Sequence, residues 1–365
     1  MDPELRARWD TPDGRALAEE ALARLMAGRS LDDLHLGEVD GRVDLRALPA
    51  PIPKRLERFE IDRWFVDKLG DLITFRGVAL RGIDLSGAFL DSFRIHDCVI
   101  EDCVLDRARC HGWRMWDTKV RDSTFREADL RQSALGPWKS GKGNSYENVS
   151  FAGADFRDCA WITAVFIGCD FADAKLDKVQ FLRSGLTRCS FQGRMQETVF
   201  DGRVFDPTER APNYAEDVDM SNAELQQVEF REFNLPAVKL PDSPNLRVIP
   251  NYPCVLRAAV NTLSNSTDET GRVLLAMLRG QQKGSEHGYP FGLFNKADYQ
   301  VLGGSEMAAL ADDVIRRAER ECAANSSIDP SSPGLSVPSG RSMRDERSSG
   351  VMKSLLRGSR KRVLL

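Results

Sequence analysis

The side chains that could support chemistry in this sequence are scattered and match no known catalytic motif. The sequence lacks the glycine-rich phosphate loops, the H-E-x-x-H zinc motif and the G-x-S-x-G nucleophile motif. Gly141-Lys142-Gly143 lacks the strand-loop-helix context of a phosphate loop, and His96 and His111 have no metal-ligand spacing. We therefore predict that the protein is not an enzyme and uses no cofactor or metal.

The eight cysteines are the other reactive side chains, and none of them forms a C-x-x-C pair. Buried cysteines behave as small apolar residues, so we expect core thiols rather than a disulfide or a metal site. Cys254 and Cys322 are included in this expectation. The charged N-terminus has no signal-peptide pattern, and no apolar stretch reaches the length of a membrane span. The sequence therefore predicts a cytoplasmic protein without membrane contact.

Apolar residues recur at every fifth position, a period that fits neither an α-helix nor a β-strand. The first run is Phe75, Leu80, Leu85, Leu90, Ile95, Ile100, Leu105, Cys110, Met115, Val120, Phe125, Leu130 and Leu135. The ladder resumes from Tyr146 to Phe191 and again from Met220 to Leu240. Such a chain turns a corner every five residues and directs one large and one small side chain inward. External irregularities are expected near residues 136–145, 192–199 and 206–219.

Several of these units carry a recognisable motif. Gly87-Ala88-Phe89-Leu90, Glu127-Ala128-Asp129-Leu130 and Gly153-Ala154-Asp155-Phe156 resemble the Ala-(Asp/Asn)-Leu-x-x motif of the pentapeptide-repeat family. The resemblance covers a little under half of the chain. It implies a mainly β fold, the right-handed quadrilateral β-helix, with four five-residue faces per coil. Residues twenty apart should then stack about 4.8 Å apart, as in the column Phe151, Phe171 and Phe191.

The ladder and its flanks divide the chain into four segments. Residues 1–74 are predicted to form an N-terminal helical cap, with a helix over residues 11–28, and residues 75–240 form the β-solenoid. Residues 241–324 form a C-terminal helical region whose apolar stripes serve its own core or, as the second alternative, a homodimer interface. Residues 325–365 are predicted to be a disordered basic tail, rich in Ser, Pro and Arg, with a net charge of +5. This tail is either solvated or in weak contact with nucleic acid or an acidic partner.

The family resemblance implies a protein partner. The best-understood relatives resemble B-DNA, bind DNA gyrase or topoisomerase IV, and in some bacteria protect against quinolones or peptide toxins. About 34 Å of duplex DNA carries roughly twenty negative charges, whereas residues 75–240 carry a net charge of −4. We therefore predict a non-enzymatic protein–protein interaction scaffold, with no direct DNA binding by the solenoid. The alternative is a DNA-mimicking modulator or protector of gyrase that confers antibiotic or toxin resistance.

Two interruptions of the ladder are the candidate partner-binding sites. At the first, Trp138 lies beside Lys139 and Lys142, and this Trp either anchors a partner or packs against the solenoid wall. The second is acidic and contains Asp206, Glu209, Glu216, Asp217, Asp219, Glu224 and Glu229. These carboxylates either mimic phosphates or form an ordinary solvated surface.

Overall fold

The computed structural model describes residues 3–50, 73–136, 143–202, 215–284 and 290–326. The helices in these ranges are α1 (Pro3–Asp10), α2 (Pro12–Ala27), α3 (Tyr252–Leu263), α4 (Glu269–Gly284) and α5 (Lys296–Ser326). The strands are β1 (Glu38–Val39), β2 (Arg42–Asp44), β3 (Thr74–Arg76), β4 (Ala79–Arg81), β5 (Ile83–Asp84), β6 (Arg94–His96), β7 (Val99–Glu101), β8 (Arg114–Trp116), β9 (Lys119–Arg121), β10 (Ala134–Gly136), β11 (Ser145–Glu147), β12 (Ala160–Ile162), β13 (Val165–Ile167), β14 (Asp170–Ala172), β15 (Gln180–Leu182), β16 (Gly185–Thr187), β17 (Ser190–Gln196), β18 (Val199–Asp201), β19 (Ala215–Glu216), β20 (Val218–Gln226), β21 (Glu229–Arg231), β22 (Val238–Lys239), β23 (Leu246–Ile249) and β24 (Gly292–Asn295).

The short parallel strands build a β-helix with four faces. The first face is the eight-stranded sheet that runs from β3 to β21, and the second is the seven-stranded sheet from β4 to β19. The third face contains β5 and the sheet β14-β17-β20-β22, joined by single bridges such as Val104 with Thr124. The fourth face consists largely of such bridges, for example Arg109 with Asp129. The β-helix expected from the period of five is thereby confirmed.

Adjacent coils are in register at twenty residues, as predicted. On the third face Phe171 pairs with Phe191. Between faces the chain turns through a residue with positive φ, such as Asp97 with a φ of 54°. The backbone N–H of Asp97 donates to the carbonyl oxygen of Trp116 in the next coil at 3.0 Å. Hydrogen bonds between coils therefore hold this unfavourable backbone conformation at the corners.

Stacked aromatic rings fill the interior of the middle coils. The predicted column of Phe151, Phe171 and Phe191 is present, with successive ring centroids 5.1 and 4.7 Å apart. A parallel column places the rings of Phe181 and Phe200 4.8 Å apart. Burial of each ring contributes about 1.5–3 kcal/mol, and each ring pair adds roughly 0.5–1.5 kcal/mol.

Two insertions interrupt the twenty-residue register at predicted positions. Leu135 pairs with Trp161, twenty-six residues further along the chain. Leu186 pairs with Ala215, twenty-nine residues further. The added length falls on residues 137–142 and 203–214, which lie outside the described residues.

A one-residue deletion explains the predicted irregularity near residues 192–199. Phe181 pairs with Phe200, only nineteen residues further along the chain. In this coil β17 runs as a seven-residue strand across the third and fourth faces, where other coils turn a corner. Strand β20 of the next coil crosses the same two faces and regains the residue at a bulge, since Ser190 pairs with Asp219 and Gln192 pairs with Asn222.

Helix α2 packs its buried face against the N-terminal end of the β-helix interior. Its bounds agree with the predicted helix over residues 11–28. The N-cap is Thr11, whose hydroxyl oxygen accepts a hydrogen bond from the Gly14 N–H at 2.9 Å. The helix therefore covers the open end of the first coils, which would otherwise expose apolar side chains.

The β-helix begins earlier than Phe75, inside the segment predicted to be a helical cap. Val43 pairs in parallel with Ile83, and residues 42–50 contribute to the third and fourth faces of an additional coil. The period of five did not reveal this coil because residues 51–72, outside the described part of the chain, separate it from the ladder.

A second core lies beyond the β-helix, in the region predicted to be helical. Helices α3, α4 and α5 pack around buried residues that include Leu256, Leu274 and Ile315. Strands β23 and β24 pair in antiparallel orientation beside them. None of the described helices is both long enough and apolar enough to cross a bilayer.

One prediction about the cysteines was wrong. Cys254 on α3 and Cys322 on α5 form a disulfide, with their Cα atoms 6.1 Å apart. The packing of α3 against α5 brings together two cysteines that are 68 residues apart in sequence, and their linear spacing gives no sign of this. The other six cysteines are buried thiols, as predicted.

Candidate interaction surface

The predicted acidic patch is distributed around one coil of the β-helix. Glu216 ends β19 on the second face, and Asp217 follows it at the corner with a φ of 53°. Asp219 and Glu224 lie on β20, which crosses the third and fourth faces, and Glu229 begins β21 on the first face. The structure thus brings Glu216, Asp217 and Asp219 to neighbouring positions but turns Glu224 and Glu229 toward other sides. Asp206 and Glu209 lie outside the described residues.

Two of these carboxylates form ion pairs with nearby cations. Asp219 accepts hydrogen bonds from Ser221 and forms an ion pair with Lys239 at 3.3 Å. The hydrogen bonds from Ser221, followed by Lys239, lower the pKa of Asp219 below its usual value. Glu229 pairs with Arg231 in the same strand. These two residues therefore resemble ordinary surface ion pairs more than an unpaired row of phosphates.

Glu216 and Asp217 differ from the other acidic residues of this coil. Both side chains are exposed, and neither forms an ion pair with another described residue. Strand register places Arg188 at the corner of the preceding coil, directly below Asp217. Glu216 and Asp217, which are adjacent in sequence, are therefore the part of the predicted patch that remains unpaired and exposed.

Arginine and aspartate pairs dominate the rest of the outer surface. On the fourth face Arg131 pairs with Asp129, and Arg157 pairs with Asp155, each at 2.7 Å. In each pair the aspartate is a bridge residue and the arginine lies two residues later in the turn that follows, where its backbone N–H also donates to the aspartate side chain. A surface built in this way carries many charges but little net charge, as the sequence count indicated.

An uncharged outer surface lies on the middle coils and was missed by the sequence reasoning. In β12, β13 and β15 the central residue of the strand is buried and its neighbours face outward. The outward residues include Ala160, Ile162, Val165, Ile167 and Leu182, all partly exposed. We call these five residues the apolar corner, since they span the first and second faces. The signal was available, because each flanks an inward ladder position where most other repeats carry polar residues.

Both insertions leave the β-helix beside the apolar corner. The chain passes from the first to the second face through residues 137–142 and, later, through residues 203–214. The strands that precede these insertions, β10 and β18, pair directly with β12 and β15. The insertions therefore attach one coil before and one coil after the apolar corner. Trp138, Lys139 and Lys142 belong to the first insertion and lie outside the described residues.

The point where the first insertion rejoins the β-helix is tightly constrained. Gly143 has a φ of 78°, and a Cβ atom there would lie 2.0 Å from the carbonyl oxygen of Thr163. The Gly143 N–H donates to a carboxylate oxygen of Asp117 at 3.0 Å. Glycine is needed here both for its backbone conformation and for the close approach of two coils.

Two of the buried thiols, those of Cys103 and Cys159, are poorly suited to nucleophilic chemistry. Burial raises the pKa of Cys103 to about 11 and that of Cys159 to about 12, so both are protonated at neutral pH. Within the described ranges no three His, Cys, Asp or Glu side chains converge in a way that would hold a metal ion.

Comparison with known proteins identifies the repeat. The family model described as pentapeptide repeats matches eight copies over residues 147–182, which include β12, β13, β14, β15 and all five residues of the apolar corner. No curated protein matches the chain by sequence.

Solved structures of several repeat proteins are similar to part of the chain. A trypsin-treated form of QnrB1, a plasmid-mediated fluoroquinolone resistance protein, is 16% identical, with 43% of this chain and 74% of that chain covered and a TM-score of 0.27. HetL from the cyanobacterium Nostoc sp. strain PCC 7120, involved in heterocyst differentiation regulation, is 18% identical, with 46% and 83% covered and a TM-score of 0.19. Rfr23 from the cyanobacterium Cyanothece 51142 is 13% identical, with 33% and 84% covered and a TM-score of 0.18. Similarities at this level carry no argument about function.

Proposed function

We propose, from the premise that this chain is a pentapeptide-repeat protein, that it acts as a non-enzymatic scaffold for protein–protein interaction. The observation that carries the proposal is the apolar corner, an uncharged outer surface with an insertion on each side. Many charged side chains elsewhere on the described β-helix surface form ion pairs, and paired charges gain little from contact with a partner. Apolar side chains gain free energy when a partner removes them from water, at about 25 cal/mol per Å².

The test compares two outward substitutions on strands of the β-helix. Ile162→Lys introduces a charge at the apolar corner, whereas Ala79→Lys introduces the same charge at an exposed position of β4, at the far end of the sheet that contains β13. Partners are captured with the immobilised wild-type protein and identified by mass spectrometry. We expect Ile162→Lys to reduce capture of the principal partner at least about tenfold, while Ala79→Lys has little effect. Equal capture by both variants, with unchanged circular dichroism, would contradict the scaffold proposal.

A second candidate function is modulation or protection of DNA gyrase or topoisomerase IV, through mimicry of DNA. The exposed pair Glu216 and Asp217 favours it, because these carboxylates have no ion-pair partner among the described residues. The test is a gyrase supercoiling assay with the purified protein, with and without a quinolone. If the candidate is correct, Glu216→Lys combined with Asp217→Lys abolishes the effect, and salt weakens it. Glu229→Lys is the matched control, because Glu229 already forms an ion pair with Arg231, and it should leave the effect in place. A wild-type protein that has no effect on gyrase excludes this function.

Two further assignments belong to the proposal. The cytoplasm is the proposed location, supported by the six buried thiols, although the Cys254–Cys322 disulfide is chemistry that oxidising compartments favour. Trapping thiols with an alkylating agent at lysis measures how much of this pair is oxidised in cells.

A homodimer through the C-terminal helices is proposed from the exposed Val273 on α4. Light scattering of a Val273→Asp variant tests it.

A further inference from the structure

A groove lies where the last coil of the β-helix meets the first residues of α5. Its volume is about 260 Å³. The apolar lining comes from Leu225, Ala297 and Val301, and the charged lining from Arg194, Glu224 and Asp298. We call it the junction groove.

The junction groove is bordered by unusually exposed apolar side chains. Val301 is 61% exposed, and the adjacent Leu302 is 51% exposed. Among the described residues, the other exposed large apolar side chain is that of Val273, at 46%. Gly303 and Gly304 interrupt α5 immediately afterwards, with non-helical backbone angles. The interruption separates the short segment that carries Val301 and Leu302 from the rest of α5, which packs in the C-terminal core.

This short segment is fixed to the β-helix. The Asn295 side chain donates to the carbonyl oxygen of Leu225 at 2.9 Å. The carboxylate of Asp298 accepts hydrogen bonds from the Gln227 N–H at 2.8 Å and from Asn295 at 3.0 Å. Exposure of Val301 and Leu302 is therefore a property of a well-anchored surface rather than of a frayed helix end. Anchored apolar side chains at a groove are characteristic of a binding site.

The charges around the junction groove indicate the kind of ligand that fits. Glu224 and Asp298 are the acidic residues of the lining, and Arg194 is its cation. The Arg194 guanidinium donates to the side-chain oxygen of Gln226 at 3.2 Å. Carboxylates thus exceed cations, so a ligand with apolar side chains and positive charge is favoured.

The chain itself contains such a ligand in residues 351–365, which we call the tail segment. Its apolar residues are Val351, Met352, Leu355, Leu356, Val363, Leu364 and Leu365, and it has five basic residues and no acidic one. The chain between the end of α5 and the tail segment is long enough to reach back to the junction groove. From Gly304 to Ser326, α5 is about 33 Å long, and the residues from 327 to 350 can extend to about 80 Å.

We infer that the tail segment docks in the junction groove of the same molecule, with leucine side chains against Val301 and Leu302 and its basic residues near Glu224 and Asp298. Tethering makes the binding intramolecular, so a modest intrinsic affinity is sufficient for occupancy. A docked tail segment would also compete with any partner that approaches this end of the β-helix. The inference does not depend on the proposed scaffold function or on the identity of its partner.

Photo-crosslinking in the full-length protein tests the inference. Leu356 is replaced by the photoreactive benzoylphenylalanine, and crosslinked peptides are identified by mass spectrometry. We expect an intramolecular crosslink to residues 224–226 or 297–302. Val301→Ser should reduce its yield by about tenfold, since burial of one valine side chain corresponds to roughly that factor. Charge reversal of Arg360, Lys361 and Arg362 to Glu should reduce the yield as well, and so should high salt.

Val99→Ser is the matched control, because it removes a partly exposed valine of β7, near the other end of the β-helix, and should leave the yield unchanged. A crosslink to any other region, or an equal loss in Val99→Ser and Val301→Ser, would overturn the inference. A product of twice the molecular mass would show docking between two copies and would overturn the intramolecular assignment. Crosslinking that appears only after addition of DNA would assign the tail segment to nucleic acid instead.

Discussion

At the scale of single residues, the interior of the β-helix depends on rings that each contact a neighbour above and below. Phe171 is fully buried, and its ring stacks on Phe151 on one side and on Phe191 on the other. Removal of a central ring therefore breaks two stacking contacts and leaves a cavity that the rigid coils cannot close.

We expect Phe171→Ala to lower the free energy of unfolding by about 3–5 kcal/mol. The outward residue Gln180 provides the control, and Gln180→Ala should change the free energy by less than about 0.5 kcal/mol. Urea denaturation monitored by circular dichroism measures both values. Similar losses in the two variants would mean that the inward and outward assignments are incorrect.

The ion pairs of the outer faces give the protein a pH dependence. Burial raises the pKa of the Asp155 carboxyl, but hydrogen bonds from Arg157 and the charge of Lys175 outweigh burial and hold this pKa below its usual value. A carboxyl whose pKa is depressed by folding stabilises the protein above its unfolded-state pKa of about 3.9. That stabilisation is lost as the pH falls through the folded-state pKa.

Asp155→Asn is accordingly expected to be less stable than the wild type at pH 7, by about 1 kcal/mol. The difference should shrink as the pH falls below about 4, where the wild-type carboxyl also becomes neutral. Thermal melts of both proteins between pH 7 and pH 2 measure this difference. A gap that stays constant over the whole range would assign the loss to side-chain shape rather than charge.

At the scale of secondary-structure elements, the insertions must rejoin the β-helix without disturbing the next coil. Gly143 performs this role beside Thr163. Gly37 has the same φ of 78° but has nothing within 4 Å of a Cβ position. Substitution at these two glycines therefore distinguishes the free-energy cost of the backbone conformation from the free-energy cost of the close approach between coils.

Gly37→Ala should destabilise the protein by about 1–2 kcal/mol, the cost of a left-handed conformation. Gly143→Ala should cost about 3 kcal/mol, because the methyl group also collides with a backbone oxygen. Denaturant titration of the two variants gives the comparison. Equal losses would show that the coils separate easily at this position.

The disulfide between α3 and α5 is the other constraint at this scale. It closes a loop with a sequence separation of 68, and restriction of the unfolded chain by a loop of this size contributes about 4 kcal/mol. We expect Cys322→Ser, or a reducing agent, to lower the melting temperature of the C-terminal helices. The control variant Cys110→Ser keeps the disulfide, because Cys110 is a free buried thiol. The reducing agent should therefore lower its melting temperature by the same amount as that of the wild type. A melting temperature independent of reduction would contradict the stabilising role.

At the scale of the whole molecule, the described residues form two hydrophobic cores. One runs from Trp9 to Val238 through the β-helix, and the other runs from Ile249 to Cys322 through the C-terminal helices. Contacts between them include the hydrogen bonds of Asn295 and Asp298 to the last coil. Each core can therefore respond separately to a change within it.

Calorimetry should consequently resolve two unfolding transitions. Reduction of the disulfide is expected to shift only the transition of the C-terminal helices, and Phe171→Ala only that of the β-helix. The double change should produce the sum of the two effects, since distant sites are additive. A single transition that moves with either change would show that the two cores unfold as one unit.

The sequence by itself determined the repeating part of this protein. Residues such as Phe151 and Phe171 recur at the period of five, and each coil places equivalent residues in the same environment, so a local pattern fixes the packing of the whole β-helix. Outward residues were equally accessible to this reasoning, and Ile162 and Leu182 could have been recognised from their positions beside the ladder. The helices α2 to α5 followed from ordinary amphipathic spacing.

Only the tertiary structure decided the features that depend on contacts between distant segments. The disulfide joins Cys254 to Cys322 because α3 and α5 pack together, and no repeat relates their positions. The coil formed by residues 42–50 is separated from the ladder by a long interruption, so the period could not reach it. The junction groove exists because Asn295 anchors one domain to the last coil of the other. A short-range period encodes contacts between successive coils, whereas these contacts arise from the way whole elements meet.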